Sequence, residues 1–420
     1  MRATAAVLIS LLAIPGCRKK VVPASTDGGA RAIVLPAQPL EKFVAARARG
    51  ANIEVAAVAR DRSVILSMLN SELQVIARDV LATDVEATEG TEIALVGEGL
   101  VVLVAKVGST PGAYLLRRNA APVAMTRERC NTADGVAWLL REGSNARVKL
   151  VRASGESTTP PIAIAAEGEV HLACGPDAVV LSTRDGEHLA LASIGVDQFA
   201  APPALVEVER EKELDDELRE RWILPRRGRS VVLLRVGESS VSVRELDDKG
   251  PGTWRKVLRG TAPAALHEDA DLVEAVASPE PHGRVYFLVS EPTSGACPDD
   301  DPPRRIVLHD IAETVETTRP VIELPCGVEA ISAHLQAEAT RATMWWTEPV
   351  DAKSCPQPGM SASAIVIASS DKPGARRSPI LAEGIARADE NRFLAVVRTG
   401  GCAPYAAPGN GAIVLAPLAK

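Results

Sequence analysis

The side chains most able to do chemistry in this chain are its seven cysteines, and their positions divide them into one and six. Cys17 follows shortly after the first apolar run. The other six are spread along the chain with no Cys-x-x-Cys pair among them, so neither a thioredoxin-type redox motif nor a paired-cysteine zinc site is indicated. These six residues are Cys130, Cys174, Cys297, Cys326, Cys355 and Cys402.

The residues before Cys17 have the form of an export signal. Arg2 precedes an apolar stretch, 3–14, that has the length of a signal-peptide core and is too short to span a bilayer. The sequence Ile-Pro-Gly-Cys at 14–17 resembles the lipobox of bacterial lipoproteins, in which an invariant cysteine follows small residues. This resemblance implies removal of residues 1–16 and lipidation of Cys17. The alternative is an ordinary secretory signal in which Cys17 is incidental.

The region after this cysteine has the composition of a membrane-proximal linker. Three basic residues at 18–20 would lie near anionic head groups. The following residues are rich in Pro, Gly, Ala and Ser, which predicts a flexible tether over 17–40. Residues 41–420 then form the folded domain. We therefore expect a protein of the cell envelope, held by an N-terminal lipid and facing the periplasm or the cell exterior.

The folded domain is predicted to be all-β. Val-rich runs such as SVILSML (63–69) and SVVLLRV (230–236) are each followed, after a short turn, by a second run. Eight such hairpins occur, and most are flanked by two further short runs. Four strands per repeated unit is typical of a single β-propeller, and near-continuous apolar runs fit strands that are buried on both faces. Eight blades are expected, with seven as the alternative; two β-sandwiches would also give evenly spaced strands.

One charged segment interrupts the β pattern. Residues 207–221 combine helix formers with acidic and basic residues three and four apart, which predicts a short helical insertion between the fourth and fifth blades.

The propeller pattern also suggests how the six remaining cysteines pair. An even number of cysteines in an exported chain favours disulfides, although six reduced buried thiols are the alternative. Cys130 and Cys174 occupy the same place in successive repeats, just before each hairpin. The other four fall in turns expected at one end of the propeller. We therefore predict the sequential pairs 130–174, 297–326 and 355–402.

Sequence motifs for catalysis are absent. There is no GxSxG, HExxH, P-loop or complete GxGxxG. The histidines are scattered singly and are expected to be ordinary strand or loop residues: His171, His188, His267, His282, His309 and His334. Three aspartates at 299–301 could bind calcium, but adjacent carboxylates in a Pro-rich turn are usually just solvated. No metal or other cofactor is predicted, and adjacent Trp345 and Trp346 are expected to pack in the core.

The turn that follows VSVREL resembles an Asp-box, the Ser-x-Asp-x-Gly-x-Thr-Trp turn of sialidase-like propellers. Here the matching residues are Asp248, Gly250, Gly252, Thr253 and Trp254, with one residue too many before the tryptophan and Leu246 in place of the serine. The resemblance covers one turn of one blade. It implies the propeller fold and carries over no sialidase activity.

Two functions of different classes are compatible with these features. The first is a binding or scaffold module without catalysis, whose partner is an envelope protein or a glycan. The alternative is a hydrolase of glycans or other envelope material, with its site at the mouth of the propeller channel. The missing motifs favour the first, so the chain is not expected to be an enzyme. A net charge of −7 without a basic stripe makes nucleic acid a poor partner.

Overall fold

The computed structural model of the chain is built from β-strands. It describes residues 31–33, 40–295 (except 73, 89, 166, 187 and 211–216), 302–324, 326, 333–349, 363–372, 375–382, 384–389, 392–397 and 412–417. Within these ranges no helix occurs, and so none is present that could cross a membrane.

The described strands form eight sheets, which are mostly antiparallel. The first strand, β1 (Arg31–Ile33), belongs to the last sheet. Sheet 1 contains β2 (Leu40–Arg49), β3 (Asn52–Ala59), β4 (Val64–Leu69) and β5 (Val75–Ala82). Sheet 2 contains β6 (Val85–Glu86), β7 (Glu92–Gly97), β8 (Leu100–Val107), β9 (Thr110–Arg117) and β10 (Val123–Met125). Sheet 3 contains β11 (Arg129–Asn131), β12 (Gly135–Glu142), β13 (Asn145–Arg152), β14 (Gly155–Thr158) and β15 (Ile162–Ala163).

The second half of the chain continues this order. Sheet 4 contains β16 (Glu169–Cys174), β17 (Ala178–Asp185), β18 (His188–Gly195) and β19 (Val206–Arg210). Sheet 5 contains β20 (Leu218–Pro225), β21 (Val231–Gly237), β22 (Val241–Asp247), β23 (Gly250–Pro251) and β24 (Arg255–Lys256). Sheet 6 contains β25 (Leu258–Arg259), β26 (Ala262–Pro263), β27 (Asp271–Ala277), β28 (Val285–Pro292), β29 (Arg304–Ala312) and β30 (Val315–Glu323). Sheet 7 contains β31 (His334–Ala337), β32 (Ala342–Pro349), β33 (Ser363–Ser369) and β34 (Ala375–Ala382), and sheet 8 contains β35 (Gly384–Asp389), β36 (Arg392–Val397) and β37 (Ala412–Pro417).

Seven of these sheets are the blades of a β-propeller. In the described ranges, seven of the sheets are built from consecutive strands. Seven blades was the alternative to the prediction of eight. The expectation of eight such blades is off by one, because the last sheet is composite: β1 pairs with β37, with Arg31 opposite Leu415. Pairing the first and last described strands in one sheet closes the ring. The predicted tether over 17–40 is therefore too long, since it includes this strand.

The core lies between neighbouring sheets. All seven residues of β21 are buried, and β3 is buried at every residue except Asn52. One core cluster joins sheets 5 and 6 through aliphatic residues such as Leu234 and through the ring of Phe287. A strand that is covered on both faces has no polar side, and this is why its sequence is apolar without alternation.

The predicted helical insertion at 207–221 is wrong over the residues that the structure describes. Val206–Arg210 and Leu218–Pro225 are strands, and residues 211–216 lie outside the described ranges. The charges pair across sheets rather than along a helix. Glu209 is 3% exposed, and its carboxylate lies 2.7 Å from Arg221 Nε and 3.4 Å from Arg235 Nε. Both guanidinium groups lie on the neighbouring sheet. Glu209 is therefore buried by contacts between sheets and not by contacts along a helix.

The turn after β22 does not show the features of an Asp-box. It lies between β22 and β23, the third and fourth strands of its sheet. However, the aspartate that holds the turn is Asp247, whose Oδ1 accepts a hydrogen bond from the Lys249 amide at 2.8 Å. The Asp248 side chain is exposed, 3.9 Å from Arg229, and Trp254 lies over the Arg244 guanidinium.

Candidate functional site

A cavity of about 980 Å³, which we call the channel, lies where edge strands of five sheets meet. These strands are β11, β16, β20, β27 and β31. Aliphatic residues and prolines form much of the wall, with a few polar side chains among them. Its lining side chains of chemical interest are Asn131, Thr132, Trp222, Glu274, His334, Gln336 and Trp345. This is the size and composition of a small-molecule site.

The disulfide Cys130–Cys174 forms part of the cavity wall. It joins β11 to β16, the first strands of neighbouring sheets, across a Cα–Cα distance of 5.5 Å. This prediction is confirmed. Cys326 is also disulfide-bonded. Its predicted partner Cys297 lies outside the described residues, as do Cys17, Cys355 and Cys402, so the other two pairs and the lipidation stay predictions.

Trp345 and Trp346 point to opposite faces of β32, and only one of them packs in the core. Trp346 is 1% exposed and lies in the cluster between sheets 6 and 7. Trp345 is half-buried and faces the channel, so the prediction of core packing is wrong for this residue. Adjacent side chains of a strand point to opposite faces of the sheet. One ring therefore packs in the core, and the other faces the channel.

Trp345 is held in a stack at the channel wall. Its ring lies 5.5 Å from the His334 ring and 5.2 Å from the Arg387 guanidinium, measured to the ring centre. Arg387 also donates to Gln336 Oε1 at 2.6 Å and to Glu338 Oε1 at 3.2 Å. These contacts fix the indole orientation and connect sheet 7 to β35 of sheet 8.

Trp222 supplies the second aromatic wall. It lies in β20 and lines the cavity on that side. Its indole Nε1 is buried and has no hydrogen-bond acceptor among the described residues. Because this nitrogen is covered by the protein, Trp222 offers the cavity ring surface rather than a hydrogen-bond donor.

Glu274 is the one carboxylate among the described residues that line this cavity. Its Oε2 accepts a hydrogen bond from the Leu335 amide at 2.5 Å, which links β27 to β31. Burial raises the pKa of Glu274 to about 7, because the hydrogen bond from Leu335 only partly offsets the loss of solvation. A substantial fraction of this carboxyl is therefore protonated near neutral pH.

His334 stands next to Leu335 at the same wall and is exposed to the channel. Loss of solvation within the channel lowers the pKa of its imidazole, so it is neutral near pH 7. Among the described residues, His334 is the only histidine in the wall of this cavity. The other five histidines lie elsewhere, as ordinary strand and loop residues, and His309 is buried against Glu316 at 2.8 Å.

A second cavity, of about 360 Å³, lies beside the turn after β22. Its acid, Glu245, is already paired: Oε1 is 2.9 Å from Arg226 Nη1, and Oε2 is 2.6 Å from His282 Nδ1. Arg226 is fully buried and also donates to the Gly283 carbonyl at 2.5 Å. These charges satisfy one another, so we place the candidate site in the channel.

The structure offers no metal centre in the residues it describes, where no group of three or more His, Cys, Asp or Glu side chains is arranged to hold an ion. The candidate calcium ligands at 299–301 lie outside those residues. The channel can therefore supply aromatic contact, a few hydrogen bonds, one carboxyl and one imidazole.

Sequence reasoning missed Glu274, Trp222 and Gln336. A faint signal existed for Glu274, since it is an acid within the otherwise apolar run LVEAVA. Nothing local distinguishes Trp222 or Gln336, because only ring closure brings β20 and β31 to one channel.

The blades and the channel cavity define the chain as a β-propeller with a ligand-sized cavity between its edge strands. No protein-family model and no curated protein matches its sequence. The chain is similar in fold to the WD40 domain of SCAP from fission yeast, at 11% identity over 93% of this chain and 98% of that one, with a TM-score of 0.40.

Two solved enzymes are similar to the same extent. Prolyl oligopeptidase B from Galerina marginata is 9% identical over 86% of this chain and 56% of its own, with a TM-score of 0.43. A polysaccharide lyase of family PL25, an ulvan lyase, is 9% identical over 86% and 91%, with a TM-score of 0.39. Similarities at this level assign no activity to the chain, because one fold hosts many functions.

Proposed function

We propose that this chain is a lipid-anchored, extracytoplasmic β-propeller that binds an envelope glycan or protein at its channel, without catalysis. The observation that carries the proposal is the channel cavity, whose wall contains Trp222 and Trp345 among aliphatic side chains. Aromatic faces with a few polar neighbours provide contact area and orientation for a ligand.

The sparse chemistry of the wall supports binding over hydrolysis. Most glycosidases need two carboxyl groups that flank the scissile bond, and the described wall holds only Glu274. An acyl-transfer mechanism needs an activated nucleophile beside a base, and no serine accompanies His334 on the described part of that wall.

One observation favours the alternative function, an envelope hydrolase. A carboxyl with a pKa of about 7, as Glu274 has, is suited to give or take a proton near neutral pH. A release assay with dye-labelled peptidoglycan sacculi distinguishes the two functions. Dye release that is lost in Glu274→Gln would establish hydrolysis and contradict our assignment of a non-enzyme.

The binding proposal is tested with the full chain in detergent and unlabelled peptidoglycan sacculi as the probe. We expect the chain to sediment with sacculi, and Trp345→Ala to weaken this binding by about tenfold through loss of aromatic contact. Trp254→Ala is the matched control, because Trp254 is also half-buried but lies away from the channel, beside the turn after β22. Equal binding by Trp345→Ala and Trp254→Ala would place the binding surface outside the channel.

The anchor is tested at Cys17. We expect Cys17→Ser to move the protein from the membrane fraction to the soluble fraction, because the thiol is the group that would carry the lipid. The measurement is fractionation in high salt, which removes proteins held only by charge. A Cys17→Ser variant that still sediments with membranes would show that lipid is not the anchor.

A further inference from the structure

We propose that the ligand of the channel carries a positively charged organic ammonium group, and that Glu274 is the counter-ion that binds it. This inference rests on the proposed binding function and names the chemical class of its ligand. It concerns the cavity between β20, β27 and β31.

Glu274 is a carboxylate without a cationic partner among the described residues. One oxygen, Oε2, accepts the Leu335 amide hydrogen, and no described residue donates to Oε1. Burial and that single amide account for the pKa of about 7, with no contribution from a nearby cation. The ionised form of this partly buried acid has no counter-ion among the described residues, and a cationic ligand would supply one.

The charged groups on the neighbouring strands are engaged elsewhere. On one side, Arg387 is bound by Gln336 and Glu338 and lies against Trp345. On the other side, Arg221 in β20 is paired with the buried Glu209. His334, also on the wall, is neutral near pH 7 because loss of solvation lowers the pKa of its imidazole. None of these described groups pairs with the ionised form of Glu274, which leaves it open to a cationic ligand.

The rest of the wall suits an ammonium ion with an apolar body. Indole rings attract cations that lie over their faces. Arg387 already lies over Trp345 at 5.2 Å, so the indole of Trp222, on the side of β20, is the one offered to the ligand. Ala275, Val276 and Ala277 add aliphatic surface beside the carboxylate.

The test compares benzylammonium with its uncharged analogue benzyl alcohol, using calorimetric titration of the full chain in detergent. We expect benzylammonium to bind more tightly at about pH 8 and to lose about tenfold in affinity by about pH 6, because a carboxyl with a pKa of about 7 becomes mostly protonated over that range. Benzylammonium itself stays charged throughout. Glu274→Gln should bind it about tenfold more weakly at the higher pH and show no pH dependence.

His334→Gln is the matched control, since it removes the other titratable group of the described wall and should keep the pH dependence. Glu274→Asp, which keeps the charge, should retain the preference for benzylammonium and guards against a folding defect in Glu274→Gln. Equal affinity for benzylammonium and benzyl alcohol would overturn the inference while leaving channel binding intact. Loss of the pH dependence in His334→Gln would also overturn the inference, and so would a wild type that does not bind benzylammonium. The sacculi experiment decides the binding function separately.

Discussion

Removing the Cys130–Cys174 bond is expected to lower the free energy of unfolding by about 4 kcal/mol in the double variant Cys130→Ala/Cys174→Ala. The bond spans a sequence separation of 44 residues, and in the chain-entropy description it restricts the unfolded chain by closing that loop. It also holds the first strands of sheets 3 and 4 together at the channel wall. Alanine is chosen because both cysteines lie partly buried against apolar residues, where a serine hydroxyl would add its own cost.

The measurement is urea unfolding of the wild type and the double variant, with and without a reducing agent. The reducing agent should destabilise the wild type more than the double variant, because only the wild type has this bond to lose. Identical midpoints for the two proteins without reductant would contradict the prediction.

Trp346→Ala is expected to lower the free energy of unfolding by about 3–5 kcal/mol, since it empties a large volume in the core between sheets 6 and 7. The neighbouring change Trp345→Ala is the matched comparison and should cost about 1 kcal/mol, because its ring faces the channel and leaves no closed cavity. On sacculi binding the order should be reversed, with the larger loss in Trp345→Ala and the smaller loss in Trp346→Ala.

Chemical unfolding of both tryptophan variants, followed by circular dichroism, measures this difference. Equal losses of stability would mean that Trp345 is also a core residue, and the channel wall would then lack its proposed aromatic contact. A fully folded Trp346→Ala variant with wild-type stability would show that the interface between sheets 6 and 7 closes over the cavity.

Much of the strand pattern was predictable from local sequence. The runs predicted at 63–69 and 230–236 correspond to β4 and β21. A strand buried between two sheets must be apolar at nearly every position, and this requirement is visible in the sequence. The equivalent places of Cys130 and Cys174 followed from the same repeat.

The sequence by itself therefore determined the all-β class, the hairpins and one disulfide, because these depend on residues close in the chain or on a repeated pattern. Only the tertiary structure decided that Val206–Arg210 and Leu218–Pro225 are strands, since the partners of Glu209 lie on the next sheet. It alone decided that β1 completes the last sheet through β37. It also brought Trp222, Glu274 and His334 to one cavity, because a channel forms only when the ring of sheets closes, and no local pattern encodes which edge strands then face one another.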